Sequence, residues 1–451
     1  MMKDMTAGEP RKVLWYFSIP LLLSVAFQQL YSIVDSVIAG RFVGVDALAA
    51  VGASYPVTMI YIAVATGANI GGSVIISQYF GAKDYAHVKT AVYTALTGIA
   101  GLGVLLTAVG TLACEFFIRM LNTPENVFAD SVTYLNIYTW GLLFLFLYNI
   151  CTGVFTALGD SRTPLYFLIA SSLGNIVMDL IFVISLKMGV AGVAWATFLC
   201  QGIAALLAWF TLRRRLTGID TRGKEVQIFS GRMLWRITQV AFPSILQQSF
   251  ISIGNLLIQR LVNGYGSEVM AAYSSAVKLN TFFLTCMNAL GSGVSSFTAQ
   301  NMGAGKHERV SQGLRAAIQM EVLICIPFMA SFLLFSPQLI QLFLSSGSDT
   351  ADVVREGTLF LRIISPFYLL VGCKIMIDCL LRGAGAMITF TISTFVDLII
   401  RVILTHVLSL RIGMGSLGIW SAWPVGWVLG MFLSLAFYRS GVWKKTSLTG
   451  V

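Results

Sequence analysis

Charged residues are scarce in this sequence. Of its 451 residues only 11% are Asp, Glu, Lys or Arg, while 57% are hydrophobic and the mean hydropathy is +0.80. A soluble domain with this composition could not cover its surface with polar groups. The same composition suits long apolar segments joined by short polar loops, as in membrane proteins. The scarcity of charge therefore excludes an ordinary soluble fold.

The sequence also lacks the motifs of common enzymes. It has three histidines, and it has no phosphate-binding P-loop, no GxSxG and no HExxH. Its seven cysteines form no CxxC pair and no other metal-binding spacing. No loop is long enough to hold a nucleotide-binding domain. We therefore predict that the protein is not an enzyme, needs no cofactor and takes its energy from an ion gradient or from a partner.

Long apolar segments occupy most of the chain. They show no alternating pattern, which favours helices over barrel strands. We predict an all-α integral membrane protein with twelve transmembrane helices, at 13–39, 47–77, 89–113, 132–156, 164–186, 190–212, 238–263, 270–299, 313–335, 358–381, 386–410 and 415–438.

The net charge of +10 raises the question of a nucleic-acid partner. Most of the 30 lysines and arginines, however, fall in loops on the same side of the predicted membrane as the N-terminus. This bias follows the positive-inside rule. We expect a multi-pass protein of the cell (plasma or inner) membrane with both termini in the cytoplasm, surrounded by the lipid bilayer, without a nucleic-acid partner and monomeric.

The two halves of the chain repeat one another. Gly71–Gly72–Ser73 reappears as Gly293–Val294–Ser295, and GVAGVAWA at 189–196 matches GSLGIWSA at 415–422. Six helices per half give both halves the same orientation, so the repeat is parallel. We predict an N-terminal six-helix bundle at 1–212, a basic cytoplasmic linker at 213–237 and a C-terminal six-helix bundle at 238–451.

Two acids lie inside apolar segments of the first half. A charge at bilayer depth costs several kcal/mol, so Asp35 and Asp179 are candidates for a functional site. Other polar side chains lie at helical spacing, either on the same helix face as one of these acids or, on the sixth span, on a face of their own. These side chains are Gln28 and Tyr31 on the first span, Asn175 on the fifth, and Thr197 and Gln201 on the sixth. Their oxygens suit a hard cation, and two close carboxylates could also share a proton.

The second half has a different pattern. Its seventh span carries a polar face, with Gln248 and Asn255, but no acid. Its charges pair one helical turn apart, Lys374 with Asp378 and Asp397 with Arg401, which favours a structural role. Whether the single charges Lys278 and Glu321 pair across helices is left open.

These features together resemble the multidrug and toxic compound extrusion (MATE) family of the MOP superfamily. The resemblance covers nearly the whole chain and rests on ordered motifs. These are PLLLSVAFQQLYSIVDSVIAGRFVG at 20–44, SQYFGAKD at 77–84, TALGDSRTP at 156–164, GNIVMD at 174–179, GVAGVAWAT at 189–197, LLRGAG at 380–385 and GSLGIWSA at 415–422.

The resemblance implies a secondary active antiporter that exports cationic or amphipathic drugs in exchange for H⁺ or Na⁺. In one branch of the family, residues matching Tyr31, Asp35, Asn175, Asp179 and Thr197 form the ion-coupling site. The last four of these could also hold Na⁺. Pro20 matches a proposed bending point of the first helix. We predict that Pro20 lines the substrate cavity or takes part in gating, together with Gln28, Gln201, Gln248 and Asn255. The alternative is a flippase for lipid-linked oligosaccharides, which has a related two-bundle plan but a cationic cavity.

Overall fold

The structure is a computed structural model that describes residues 3–38, 45–221, 223–344 and 351–446, with the side chains of 33–38 and 45–48 left aside. Every regular element within these residues is helical. The first half contains α1 (Pro10–Ile38), α2 (Val45–Gly81), α3 (Tyr85–Met120), α4 (Glu125–Trp140), α5 (Leu142–Ala157), α6 (Arg162–Leu180) and α7 (Gly189–Thr217). The second half contains α8 (Gly231–Asn263), α9 (Ser267–Gly303), α10 (His307–Leu334), α11 (Ser336–Gln341), α12 (Ala351–Ile364), α13 (Tyr368–Ala384), α14 (Met387–His406) and α15 (Ser416–Arg439).

The helices agree with the predicted transmembrane segments. In the described part of the chain, ten helical segments are long and apolar enough to cross a bilayer, and α4 with α5 forms an eleventh that bends by 46°. The remaining predicted span, 270–299, lies in α9, a single helix of 37 residues. Its sequence contains several polar residues, among them Asn280 and Asn288, and it is not among the ten apolar segments. Within the described residues, the predicted spans therefore fall on helices.

Contacts divide the chain into two compact units. Unit 1 contains Ile19–Ile245 and the described residues before Thr6, and unit 2 contains Thr6–Ser18 and Leu246–Ser447. The first turns of α1 thus belong to unit 2, and the first half of α8 belongs to unit 1. The predicted domain boundaries stay a prediction, because a grouping by contacts does not test independent folding.

Both helices that pass from one unit to the other contain a proline near the crossing point. Pro20 lies inside α1, two residues after Ser18, and Pro243 lies inside α8, two residues before Ile245. A proline inside a helix removes one backbone hydrogen bond and favours a bend. The hydroxyl of Ser24 donates to the Pro20 carbonyl at 2.9 Å, one turn further along α1.

Asp160 fixes the turn between α5 and α6. Its carboxylate accepts hydrogen bonds from the backbone N–H groups of Arg162 and Thr163 at 3.1 Å and from the Thr163 hydroxyl at 2.8 Å. The Arg215 guanidinium, from the end of α7, also donates to it. Burial alone would raise the pKa of Asp160, but the hydrogen bonds from Arg215 and Thr163 outweigh it and hold the pKa below its usual value. This cluster joins the start of α6 to the end of α7.

Candidate functional site

A cavity of about 510 Å³ lies within unit 1. Helices α1, α2, α4, α5, α6 and α7 line it. Its polar and aromatic lining residues are Gln28, Gln29, Tyr31, Ser32, Thr66, Tyr138, Tyr148, Asn149, Ser171, Ser172, Asn175, Thr197, Cys200 and Gln201. Five residues predicted for the ion site or the substrate cavity therefore border one space: Gln28, Tyr31, Asn175, Thr197 and Gln201.

Asn175 is the centre of a hydrogen-bond network at one wall of this cavity. The positions of its amide nitrogen and oxygen are assigned from the hydrogen-bond partners that surround them. The amide nitrogen faces Asp179 Oδ2 at 3.2 Å and the Tyr31 hydroxyl, and the amide oxygen accepts from the Thr197 backbone N–H at 3.1 Å. One side chain of α6 thus contacts α1 and α7 as well as its own helix.

Helix geometry explains this arrangement. Asn175 and Asp179 are one turn apart on α6, so both side chains lie on the same face. Asn175 is 3% exposed and Asp179 is fully buried. Immediately after them α6 widens into a π-helical turn, Ile181–Ser185, a feature that is frequent at functional sites. The Thr197 hydroxyl donates within its own helix, to Val193 at 3.1 Å, so it is the backbone of Thr197 that reaches Asn175.

Asp35 belongs to α1, but its side chain lies outside the described residues. Its part in the site stays a prediction. Among the described residues, no group of three or more His, Cys, Asp or Glu side chains is placed to hold a metal ion. Carboxylate and amide oxygens, as on Asp179 and Asn175, are chemically suited to a hard cation, and the Asp179 carboxylate can also bind a proton.

Sequence reasoning missed several residues of the cavity. Tyr138 on α4, Tyr148 and Asn149 on α5, and Thr66 on α2 line it together with the predicted residues. Tyrosine rings attract cations through their faces. The signal that could have found them is the pair Tyr148–Asn149 inside the apolar run of the fourth span. The fourth span contains no charged residue, so charge gives no signal there.

Two predicted cavity residues lie elsewhere. Gln248 and Asn255 are on the part of α8 that belongs to unit 2, where the Gln248 carbonyl accepts from Ser252 at 3.1 Å and Asn255 is exposed. Pro20 is buried in α1. The proposed gating roles of these three residues stay predictions.

The charges of unit 2 are paired differently from the expected pattern. Lys374 contacts Asp378 at 2.8 Å, as predicted, but it also contacts Asp397 at 3.4 Å. Arg401 lies instead over the Trp423 ring, 4.4 Å from its centre. The expected Asp397–Arg401 pair is therefore replaced by one lysine shared between two carboxylates of α13 and α14.

Asp378 has further partners on two other helices. Its Oδ1 accepts from Ser393 of α14 at 3.2 Å and from Ser434 of α15 at 2.6 Å. Gly430 of α15 makes room for this cluster, because a Cβ there would lie 2.5 Å from Cε of Lys374. Three helices thus meet around the buried, hydrogen-bonded pair Lys374 and Asp378.

The comparisons with known proteins agree with this architecture. The sequence profile of the MatE family matches residues 20–181 and 243–407, one match in each half. The chain belongs to the MatE family. It is 30% identical to the probable multidrug resistance protein YoeA of Bacillus subtilis strain 168, over 96% of this chain and 94% of that protein. It is also 30% identical to the probable multidrug resistance protein YpnP of the same organism, over 99% of this chain and 98% of that protein.

Solved structures confirm the fold. The outward-facing structure of a multidrug resistance MATE family transporter of the MOP superfamily superposes with a TM-score of 0.90, at 24% identity, over 98% of both chains. The predicted all-α MATE/MOP-type fold is therefore confirmed. Members of this family are multi-pass membrane transporters and not enzymes, and this chain is a MATE-family transporter.

Proposed function

We propose that this MATE-family protein is a secondary active antiporter that exports cationic or amphipathic drugs in exchange for H⁺ or Na⁺. The observation that supports it is the cavity of unit 1, where an amide network joined to the buried Asp179 borders a space of about 510 Å³. The names of YoeA and YpnP as multidrug resistance proteins support the substrate class.

The lining of the cavity favours a cation over an anion. None of the described residues that line it is a lysine or an arginine, and it contains the tyrosines Tyr31, Tyr138 and Tyr148. Aromatic faces and amide oxygens stabilise an organic cation, whereas a lipid pyrophosphate needs cationic partners. The alternative function, a flippase for lipid-linked oligosaccharides, is therefore less well supported.

The coupling mechanism follows from the chemistry of Asp179. A buried carboxylate takes up a proton or a cation more readily than it stays uncompensated. If the coupling ion binds at Asp179 and Asp35, a bound ion weakens the binding of a cationic drug. A bound drug then weakens the binding of the ion by the same factor. The network through Asn175 would transmit the change to α1 and α7. The protein acts as a monomer in the cell membrane, with both termini in the cytoplasm.

The test is dye efflux from proteoliposomes with H⁺ and Na⁺ gradients imposed separately. We expect one of the gradients to drive export, and Asp179→Asn to slow it by about tenfold or more. Asp130→Asn, at an exposed acid of α4 in the same unit, is the matched control and should transport normally. Export by Asp179→Asn at the rate of the control would contradict the coupling role, and failure of both gradients to drive the unmodified protein would contradict antiport.

Drug binding to the purified protein gives an independent measurement. Raising the concentration of the coupling ion should weaken drug affinity, and Asp179→Asn should remove this dependence while Asp130→Asn keeps it. A wild-type affinity that ignores both pH and Na⁺ would show that the cavity is not linked to the ion.

A further inference from the structure

Glu321 lies in the middle of α10 and is fully buried within unit 2. The neighbouring helix α13 leaves space for it at Gly372, where an added Cβ would collide with the Glu321 carboxyl. Any larger residue at position 372 would displace the acid. The packing of α13 against α10 therefore leaves room for this carboxyl within unit 2.

The contacts of the carboxyl are two thiols. Cys325 Sγ lies 2.8 Å from Oε1, and Cys373 Sγ lies 3.5 Å from Oε2. Cys325 Sγ also lies 3.5 Å from the backbone carbonyl oxygen of Tyr368. Thiols are weak hydrogen-bond donors and stabilise a negative charge far less than a cation does.

The nearby cations are engaged elsewhere. Lys278 of α9 is placed over the Phe343 ring, and Lys374 of α13 contacts Asp378 and Asp397. In the described part of the chain, no lysine, arginine or histidine nitrogen lies within 4.0 Å of the Glu321 carboxyl. The sequence left open whether Lys278 and Glu321 pair; in the structure each has other partners. A buried carboxylate without a cation costs several kcal/mol and is relieved by binding a proton.

The number of available hydrogen atoms also favours the protonated form of Glu321. If Glu321 is the neutral acid, its O–H donates to Cys325 Sγ, the Cys325 S–H donates to the Tyr368 carbonyl, and the Cys373 S–H donates to the other carboxyl oxygen. Each donor then has one acceptor. If Glu321 is ionised, the single S–H of Cys325 must serve both the carboxylate and the carbonyl. Two sulfur atoms around the carboxyl also disfavour Na⁺, which prefers oxygen ligands.

We propose that Glu321, with Cys325 and Cys373, is a proton-binding site of unit 2 that is occupied in this conformation and releases its proton during the transport cycle. In the release step the O–H bond of the carboxyl breaks, the proton passes to water and the carboxylate keeps the electron pair. The site is distinct from Asp35 and Asp179. The release step rests on the proposed transport function, whereas the bound proton does not.

Infrared spectroscopy of the purified protein tests the bound proton directly. A protonated carboxylic acid has a C=O stretching band that a carboxylate lacks. We expect such a band at pH 7 in the wild type and in Glu308→Gln, an exposed glutamate of the same helix. We expect the band to be lost or reduced by one acid in Glu321→Gln. Glu321→Leu serves as the second variant if the glutamine does not fold. A wild-type spectrum that Glu321→Gln and Glu321→Leu leave unchanged would overturn the proposal.

Dye efflux from proteoliposomes tests the release step. Glu321→Gln fixes a neutral side chain, so we expect export to fall by about tenfold, with partial recovery in Glu321→Asp, which restores an acid. Export by Glu321→Gln at the rate of Glu308→Gln would overturn proton release. The Glu308→Gln control also separates the two proposals: if it and the wild type do not export, the proposed function fails, while the infrared result for Glu321 stands by itself.

Discussion

Asn175 shows how a single side chain can join three helices. An amide has donors and acceptors on opposite ends, so it can bond the Asp179 carboxylate and the Tyr31 hydroxyl with its nitrogen and the Thr197 backbone with its oxygen. Such networks inside a protein are worth more than one isolated hydrogen bond because each bond polarises the next. The amide therefore joins α1, α6 and α7 next to the buried Asp179.

Asp160 provides a prediction at the same scale. Its pKa is lowered in the folded protein, so its contribution to stability is complete above its ordinary value of 3.8 and is lost as the pH falls through the lower, folded-state value. We expect Asp160→Asn to lower the free energy of unfolding at pH 7 by about 2–4 kcal/mol, because Arg215 loses its charged partner.

The measurement is thermal unfolding in detergent at a series of pH values. The difference between Asp160→Asn and the wild type should be constant near neutral pH and should narrow below pH 3.8. Asp220→Asn, at an exposed acid of the loop after α7, is the control and should change stability little. An Asp160→Asn difference that stays the same down to the most acidic pH would contradict the ion pair with Arg215.

At the scale of elements, the effect of mutating one buried charge of α13 or α14 depends on which of its charged partners remain. Because Lys374 is shared by Asp378 and Asp397, removing Lys374 and Asp378 together still leaves Asp397 without its cation. We therefore expect Lys374→Met with Asp378→Leu to be destabilised. Adding Asp397→Leu should recover the thermal stability of the wild type.

Unfolding temperature and dye efflux of the double and triple variants check this prediction. If the cluster is structural, the triple variant should also export at close to the wild-type rate. A double variant as stable as the wild type would show that Asp397 does not depend on Lys374. A stable triple variant that does not export would place the cluster in the transport pathway.

Hydropathy predicted the helical segments well, but it did not predict how they break. The segment 132–156 was expected as one helix, whereas the structure has α4 and α5 with a bend of 46° at Gly141. The expected span 358–381 contains a short 3₁₀ segment, Ser365–Phe367, between α12 and α13. Mean hydropathy does not change at such breaks, because they depend on local backbone conformation. For the segment Ser365–Phe367, the proline at position 366 was the available sequence signal.

The spacing of polar side chains along each helix predicted some contacts of the site and missed others. The one-turn spacing of Asn175 and Asp179 correctly placed both on one face of α6, and Tyr31 and Thr197 contact the same amide. The pairing of Asp397 was wrong, because spacing along one helix says nothing about the lysine that a neighbouring helix brings closer. Contacts between helices are decided by packing, which a single sequence does not encode in a readable pattern.

At the scale of the whole molecule, the repeat of the two halves extends to the helices that leave each compact unit. α1 and α8 are the first helices of the two halves, and each contributes residues to both units. Each has a proline close to the point where it crosses, Pro20 and Pro243, and the two matches to the MatE profile begin at these same residues. Repeats that act in alternation need flexible points in the helices they share, and an interior proline supplies one.

We therefore expect Pro20→Ala and Pro243→Ala each to slow export while leaving thermal stability equal or higher. Alanine restores the missing helical hydrogen bond, and an interior proline costs a helix about 3 kcal/mol. Pro327→Ala is the matched control, because Pro327 lies inside α10, entirely within unit 2. That variant should gain comparable helix stability yet export at nearly the wild-type rate. The measurement is dye efflux from proteoliposomes together with the unfolding temperature of each purified variant. Full export by both Pro20→Ala and Pro243→Ala would show that these helices need no flexible point, and equal slowing by Pro327→Ala would assign the effect to helix stiffness in general.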